Sequence, residues 1–417
     1  MNKEDALRHI DQLLAPNTLG GRDRLILSGA WNGKEYDQIA AELDCSVAHA
    51  KYLGTQLWKL LSETLGRPVT KSTSRRIFEQ MLQPIPVLGD QTPVNGQFYG
   101  RSTELANLSA LVDQNHLVAI IGSPGIGKSA LAAKLIQVSS ATRWDQAIWK
   151  TLNPTTRLDD LIESLLSDLK VQQTSKPRDS MSLLLEALAG QRCLIVLDAA
   201  EVLRGSPEYE IFLRQIVSAT HRSCVLLTSE IPILFIQHWQ FSGLGAKNLL
   251  LRNLDDNAAK QILRDFSLQD EGYWQTLIDS HGTNPLVLKL IANSIVDLFN
   301  GRVGDVIHIS ALYTEEINSL ISRQFRGMGV SEKRVVLALA QSDVPSFADL
   351  QKHPTLSDFS SSELVEALGY LEKRSIIEVL KKKNQPASYK LSSIVRKHAL
   401  NTLDSESNNS ISCAVGA

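Results

Sequence analysis

The chain has 417 residues, 43% of them hydrophobic, and a formal net charge of -2. That length calls for about two to four domains with packed cores, and the charge balance excludes a chain that is basic throughout. The four cysteines (Cys45, Cys193, Cys224, Cys413) make no C-x-x-C pair, which is the usage of a reducing compartment. The charged start Met1-Asn2-Lys3-Glu4-Asp5 is not a secretory signal, and no apolar run approaches the roughly 20 residues of a membrane span. A soluble, cytoplasmic protein with no membrane partner is expected.

Residues 1–83 read as helical. Within them, 36–53 has the form of a helix-turn-helix: an apolar-periodic helix, a tight turn, then Ser46 as the cap of a second helix. Trp58 and Leu61 read as core. The second helix offers Lys51, Gln56 and Lys59, and Arg67, Lys71, Arg75 and Arg76 follow, against Glu63 and Glu79. This local positive balance is enough for a few phosphate contacts and well below a strongly basic reader. Two uses stay open for residues 22–76: binding DNA, or packing against protein on the same fold.

Residues 84–97 contain Pro84, Pro86, Gly89, Pro93 and Gly96, a linker composition. From 98 to 245, apolar strand candidates at 117–121, 147–151, 193–197 and 223–228 alternate with helical periodicity. This predicts a parallel α/β sheet. Directly after the first of these strands stands Gly122-Ser123-Pro124-Gly125-Ile126-Gly127-Lys128-Ser129, a complete phosphate-binding loop between a strand and the helix that opens at Ala130. The glycines let backbone N–H groups face a phosphate, and the helix N-terminus adds its partial positive charge. Lys128 reaches the outer phosphates, and the Ser129 hydroxyl suits Mg²⁺. The strand Cys193-Leu194-Ile195-Val196-Leu197 ends in Asp198, an acid placed to help hold the same ion. From 246 to 404 the pattern is nearly all helical, with a β-like hairpin from 375–380 and 387–391. The Ser- and Asn-rich tail, 405–417, is expected to be disordered.

Further motifs carry a resemblance. Tyr99-Gly100-Arg101-Ser102-Thr103-Glu104-Leu105 resembles the entry motif of the STAND class of signalling ATPases, and of its NB-ARC branch in particular. Trp144-Asp145-Gln146-Ala147-Ile148-Trp149, Val225-Leu226-Leu227-Thr228-Ser229 and Gly282-Thr283-Asn284-Pro285-Leu286 resemble its aromatic strand, sensor strand and G-x-x-P-L motif. Tyr389-Lys390-Leu391-Ser392 lies where the winged helix of that branch meets ADP. The N-terminal segment is similar to the helix-turn-helix found on many cyanobacterial NB-ARC proteins.

The resemblance implies a P-loop sheet domain (98–245), a helical subdomain (246–318) and a winged-helix subdomain (319–404). It implies ATP or ADP with Mg²⁺ as ligands. Gly100, Arg101, Gly122, Ser123, Gly125, Ile126, Gly127, Lys128, Ser129, Ala130, Pro285 and Ser392 would contact the nucleotide. Ser129 and Asp198 would hold the metal. Glu201 is the candidate base, and the same position also suits an acid in the solvated first turn of a helix. The resemblance also implies a homo-oligomer on activation. The repeat array usual after the winged helix does not appear before Ala417, so the expectation is either a separate sensor or effector protein or a short form of the family.

The departures from that pattern bear on turnover. Ala199-Ala200 follow Asp198 where relatives carry a second acid. Glu230 follows Thr228-Ser229 where many carry an arginine that senses the γ-phosphate. Ser392 stands where a histidine often faces the β-phosphate. The expected function is a nucleotide-gated switch, ADP-bound at rest, with slow hydrolysis. The alternatives are a transcription regulator with a structural nucleotide and an ATPase with fast turnover.

Overall fold

The computed structural model describes residues 19–65, 68–81, 84–93, 96–139, 143–171, 179–308, 315–374, 376–381, 385–392 and 394–401. The tail at 405–417, Arg67 and the first residues of the helical segment lie outside them. The chain forms two compact units. One holds residues up to Val87 together with 136–147, and the other holds the remainder.

The first unit contains helices α1 (Gly21–Trp31), α2 (Tyr36–Glu42), α3 (Val47–Leu65) and α4 (Lys71–Met81). Helices α2 and α3 are the helix-turn-helix pair. Asp44 turns the chain between them at φ 50°, and the Ser46 hydroxyl accepts the His49 N–H at 3.2 Å, satisfying a donor that the helix start leaves open. Ile26, Leu27, Ile39, Leu57 and Leu61 fill the core. Trp58 is buried with them, and its indole N–H donates to the Tyr36 hydroxyl at 2.9 Å. Both aromatic groups thus serve packing.

The second unit is built on a six-stranded sheet: β1 (Val87–Gly89), β2 (Leu117–Ile121), β3 (Gln146–Thr151), β4 (Cys193–Asp198), β5 (Cys224–Ser229) and β6 (Ala246–Leu250), in the spatial order β1-β3-β4-β5-β2-β6. Strand β2 pairs in parallel with both β5 and β6, and β4 pairs in parallel with β5. All five residues of β2 are buried, as a parallel strand covered on both faces requires. The chain leaves β2 between two strands that arrive from later in the sequence. That is the switch point where open α/β sheets bind ligands.

Two strands depart from the sequence reading. Strand β1 lies inside the segment read as linker, and β6 opens the segment read as nearly all helical. Both lie at sheet edges. Strand β6 carries Lys247 and Asn248 and is only partly buried beyond Ala246. Strand β1 is three residues long and follows two prolines. Edge strands need no continuous apolar run, so the strongest strand signal is missing from both.

Beyond the sheet stand helices α11 (Asp256–Asp265), α12 (Trp274–His281), α13 (Pro285–Phe299) and α14 (Glu315–Arg326), counting α5 to α10 as the helices between α4 and β6. Ile262, Leu263, Leu277, Leu288, Ile291 and Ile317 form their common core. Helices α15 (Val330–Gln341), α16 (Phe347–Gln351) and α17 (Ser361–Lys373) then precede an antiparallel hairpin of β7 (Ile377–Leu380) and β8 (Ser388–Leu391). Three helices and a hairpin stand where the sequence predicts a winged helix, and the hairpin falls where the sequence placed it. Ser360 and Glu363 cap α17 reciprocally, at 2.8 and 3.2 Å.

Candidate functional site

The loop after β2 is pinned to the sheet at its first residue. Gly122 N–H donates to the Ser229 carbonyl at the end of β5, at 3.2 Å. Gly125 and Gly127 adopt φ +73° and +100°, a region that favours glycine. Lys128 is buried, and its ammonium donates to the carbonyls of Gly122 and Ser123 at 3.0 and 3.1 Å. Burial lowers its pKa, while Glu230, Glu201 and Asp198 oppose that shift. The Ser129 hydroxyl donates to Asp198 Oδ1 at 2.6 Å, and the Thr228 hydroxyl donates to the same oxygen. The hydroxyl and the carboxylate read as metal ligands therefore meet, although they stand on α6 (Lys128–Val138) and β4. Their hard oxygen atoms fit Mg²⁺.

A cavity of about 390 Å³ opens on this loop. It brings together eight of the predicted residues: Gly125, Gly127, Lys128, Ser129, Ala130, Asp198, Glu201 and Pro285. The Glu201 carboxylate accepts the Glu230 N–H at 3.3 Å. Its pKa is raised, first by burial and further by the nearby Glu230 carboxylate.

Helix α13 docks its first turn on the loop. The Asn284 side chain accepts the N–H groups of Leu286 and Val287 at 3.1 and 3.4 Å, and its amide donates to the Pro124 carbonyl at 3.0 Å. Leu286 N–H donates to the Gly125 carbonyl at 3.3 Å. A Cβ on Gly125 would lie 2.7 Å from Leu286 Cβ, so contact with α13 and backbone conformation both demand glycine there.

Other predicted residues stand elsewhere. Arg101 is buried, and its guanidinium donates to the carbonyls of Ile126, Arg252 and Asn253 and to the Glu104 carboxylate. It ties the phosphate loop to the segment after β6 and does not line the cavity. Gly100, at φ +57°, packs on Ala258 of α11, 2.9 Å from where its Cβ would stand. Gly122, Ser123 and Ile126 serve as loop backbone. Ser392 shares a separate, smaller cavity with Ser123, Asn253, His281 and Gln324, and its hydroxyl accepts the Val395 N–H at 3.3 Å. Two basic residues besides Lys128 line the cavity and were not assigned to the site from the sequence. Lys289 stands one turn after Pro285, a spacing that puts both on one helical face. Arg323 comes from α14 and ion-pairs with Glu230. Nothing local marks it.

The model of the family described as Novel STAND NTPase 1 matches residues 91–314, more than half of the chain. The chain belongs to the Novel STAND NTPase 1 family. Membership in an NTPase family implies nucleotide binding. The NB-ARC branch is a finer placement that rests on the motifs alone. A second family model, the N-terminal helix-turn-helix of vWA-MoxR associated proteins, matches residues 1–81.

Among curated proteins, the chain is similar to an uncharacterised WD repeat-containing protein of Nostoc sp. The two are 29% identical over 387 residues, which cover 85% of this chain and 30% of that protein. The chain thus spans 30% of the length of that relative. Among solved structures, it is similar to a Walker-type ATPase of Pyrococcus abyssi, with a TM-score of 0.55 and 17% identity over 76% of this chain and 99% of that one. That likeness establishes the P-loop fold. A STAND protein with a tetratricopeptide repeat sensor from Pyrococcus horikoshii has a TM-score of 0.40 at 18% identity, over 74% of this chain and 43% of that one. No helix among the described residues is long and apolar enough to cross a membrane.

Proposed function

We propose that this STAND NTPase is a nucleotide-gated switch that binds ADP and ATP with Mg²⁺ and rests with ADP. One observation carries the reading. The cavity on the phosphate loop is walled on one side by the loop, Asp198 and Glu201, and on the other by Pro285, Leu286, Lys289 and Arg323. A nucleotide filling it touches the sheet and the C-terminal helices together, so its identity biases how the two pack.

In this reading Lys128 leaves the carbonyls of Gly122 and Ser123 for the phosphates, and loop N–H groups hold the phosphate oxygens. Mg²⁺, held by Ser129 and Asp198, would neutralise phosphate charge. Glu201 is the group able to take a proton from an attacking water. Turnover is slow, because Ala199 supplies no second carboxylate and Glu230 sets a negative charge where a cation would stabilise the transition state.

The test is to identify the nucleotide that copurifies with the protein. ADP, lost from Lys128→Ala, is the expected result. Protein that carries no nucleotide and takes up none from MgADP or MgATP would end the proposal.

A further inference from the structure

The ion pair between Glu230 and Arg323 lies outside the phosphate loop, yet both side chains line the same cavity as Lys128. Glu230 follows directly on β5, whose last residue, Ser229, accepts the Gly122 N–H. It therefore stands at the mouth of the phosphate loop. Its own N–H is engaged by the Glu201 carboxylate at 3.3 Å, which fixes the backbone at that point. The Glu230 side chain is 18% exposed and the Arg323 side chain 58%. The carboxylate is thus held inside the cavity, while the arginine reaches in from α14 with freedom to move.

A diphosphate and a triphosphate differ at this place in one respect: the triphosphate adds a negatively charged group beyond the β-phosphate. Glu230 repels that group and Arg323 attracts it. An arginine offers a planar fork that suits phosphate oxygens as well as carboxylate oxygens. The two acceptors therefore compete for one donor. We propose that Arg323 is the residue that reads the terminal phosphate of a bound triphosphate, and that Glu230 holds it in reserve while a diphosphate occupies the site. This rests on the nucleotide-switch reading above and adds a recognition residue to it. Because Arg323 stands on α14, outside the sheet, its transfer from Glu230 to phosphate couples the third phosphate to the position of the C-terminal helices.

The experiment titrates the full chain with fluorescent ADP and with a fluorescent non-hydrolysable ATP analogue, both with Mg²⁺. Arg323→Gln is expected to weaken the ATP analogue on the order of tenfold or more and to leave ADP within about twofold. Arg323→Lys keeps the charge without the fork and should fall between the parent and Arg323→Gln. Glu230→Gln, which removes the competing acceptor, should tighten the ATP analogue relative to ADP. The melting temperature of each variant without nucleotide, compared with the parent, shows that it is folded.

An unaltered ratio of ATP-analogue to ADP affinity in Arg323→Gln would overturn the inference, as would an equal loss for both nucleotides. Those outcomes leave the switch reading intact. A parent protein that binds neither nucleotide overturns that reading, and this inference with it.

Discussion

Lys128 keeps its ammonium where burial disfavours charge, and two loop carbonyls and three acids compensate. Replacing it by alanine removes charge-assisted contacts to phosphate, each worth about 1.5–3 kcal/mol. Lys128→Ala should weaken ADP binding by about tenfold or more by calorimetry, and equal binding would show that the site lies elsewhere. Glu201 allows a test without ligand. Burial raises its pKa above the ordinary glutamate value of 4.5, so the folded protein holds that proton to higher pH than the unfolded chain. The stability it contributes is complete below the ordinary value and is lost as pH rises through the raised one. At neutral pH the buried carboxylate is therefore a burden. Glu201→Gln should melt higher than the parent at about pH 7.5, with the difference closing towards about pH 4. A lower melting temperature at neutral pH would contradict the burial argument.

At the scale of elements, the first turn of α13 does two things at once. Asn284 caps the helix and its amide holds Pro124 of the phosphate loop. Asn284→Ala should cost about 1–2 kcal/mol in denaturant unfolding and should also weaken ADP. A purely local cap would give the first effect without the second. Arg101 is another joint between elements. Its buried guanidinium satisfies three carbonyls from two segments, so Arg101→Ala leaves those acceptors with fewer partners. A loss of about 2–4 kcal/mol is expected, from a residue the sequence motif had assigned to the nucleotide itself. The motif was legible because its spacing is local. The direction of the side chain was not, since two of the three carbonyls it meets come from residues about 150 positions later.

For the whole molecule, the expected behaviour is one slow event per signal. Steady-state ATP hydrolysis should run well below about 1 s⁻¹, because phosphoryl transfer depends on positioning the attacking water and Ala199 supplies no second carboxylate beside Asp198 to do it. A faster rate that disappears in Lys128→Ala and in Glu201→Gln would refute this and make Glu201 the catalytic base. The N-terminal helices carry exposed Lys51, Lys59, Arg75 and Arg76, with Tyr52 59% exposed beside Lys51. If these residues meet DNA phosphates, removing the four charges together should flatten the salt dependence of binding, since fewer counterions are released. No binding by the full chain at low salt would leave protein packing as the use of the module.

The amino-acid sequence alone determined what depends on near neighbours. The glycines and Lys128 of the phosphate loop, the apolar strands of the inner sheet, the cap at Ser46 and the hairpin near the C-terminus are each set by a few consecutive residues. Pattern and steric preference read them without a fold. Asp198 was also legible as the partner of Ser129, as an acid ending an apolar strand after a phosphate-binding loop, although β5 stands between β2 and β4 in the sheet. The tertiary structure alone decided the rest. It placed β1 and β6 at the sheet edges, where polar residues are tolerated, and turned Arg101 into a clamp. It set Ser392 beside Ser123 instead of Lys128, and it delivered Arg323 to Glu230. Each of these joins residues far apart in the chain. Their meeting depends on how helices pack, and no window of neighbouring residues encodes that.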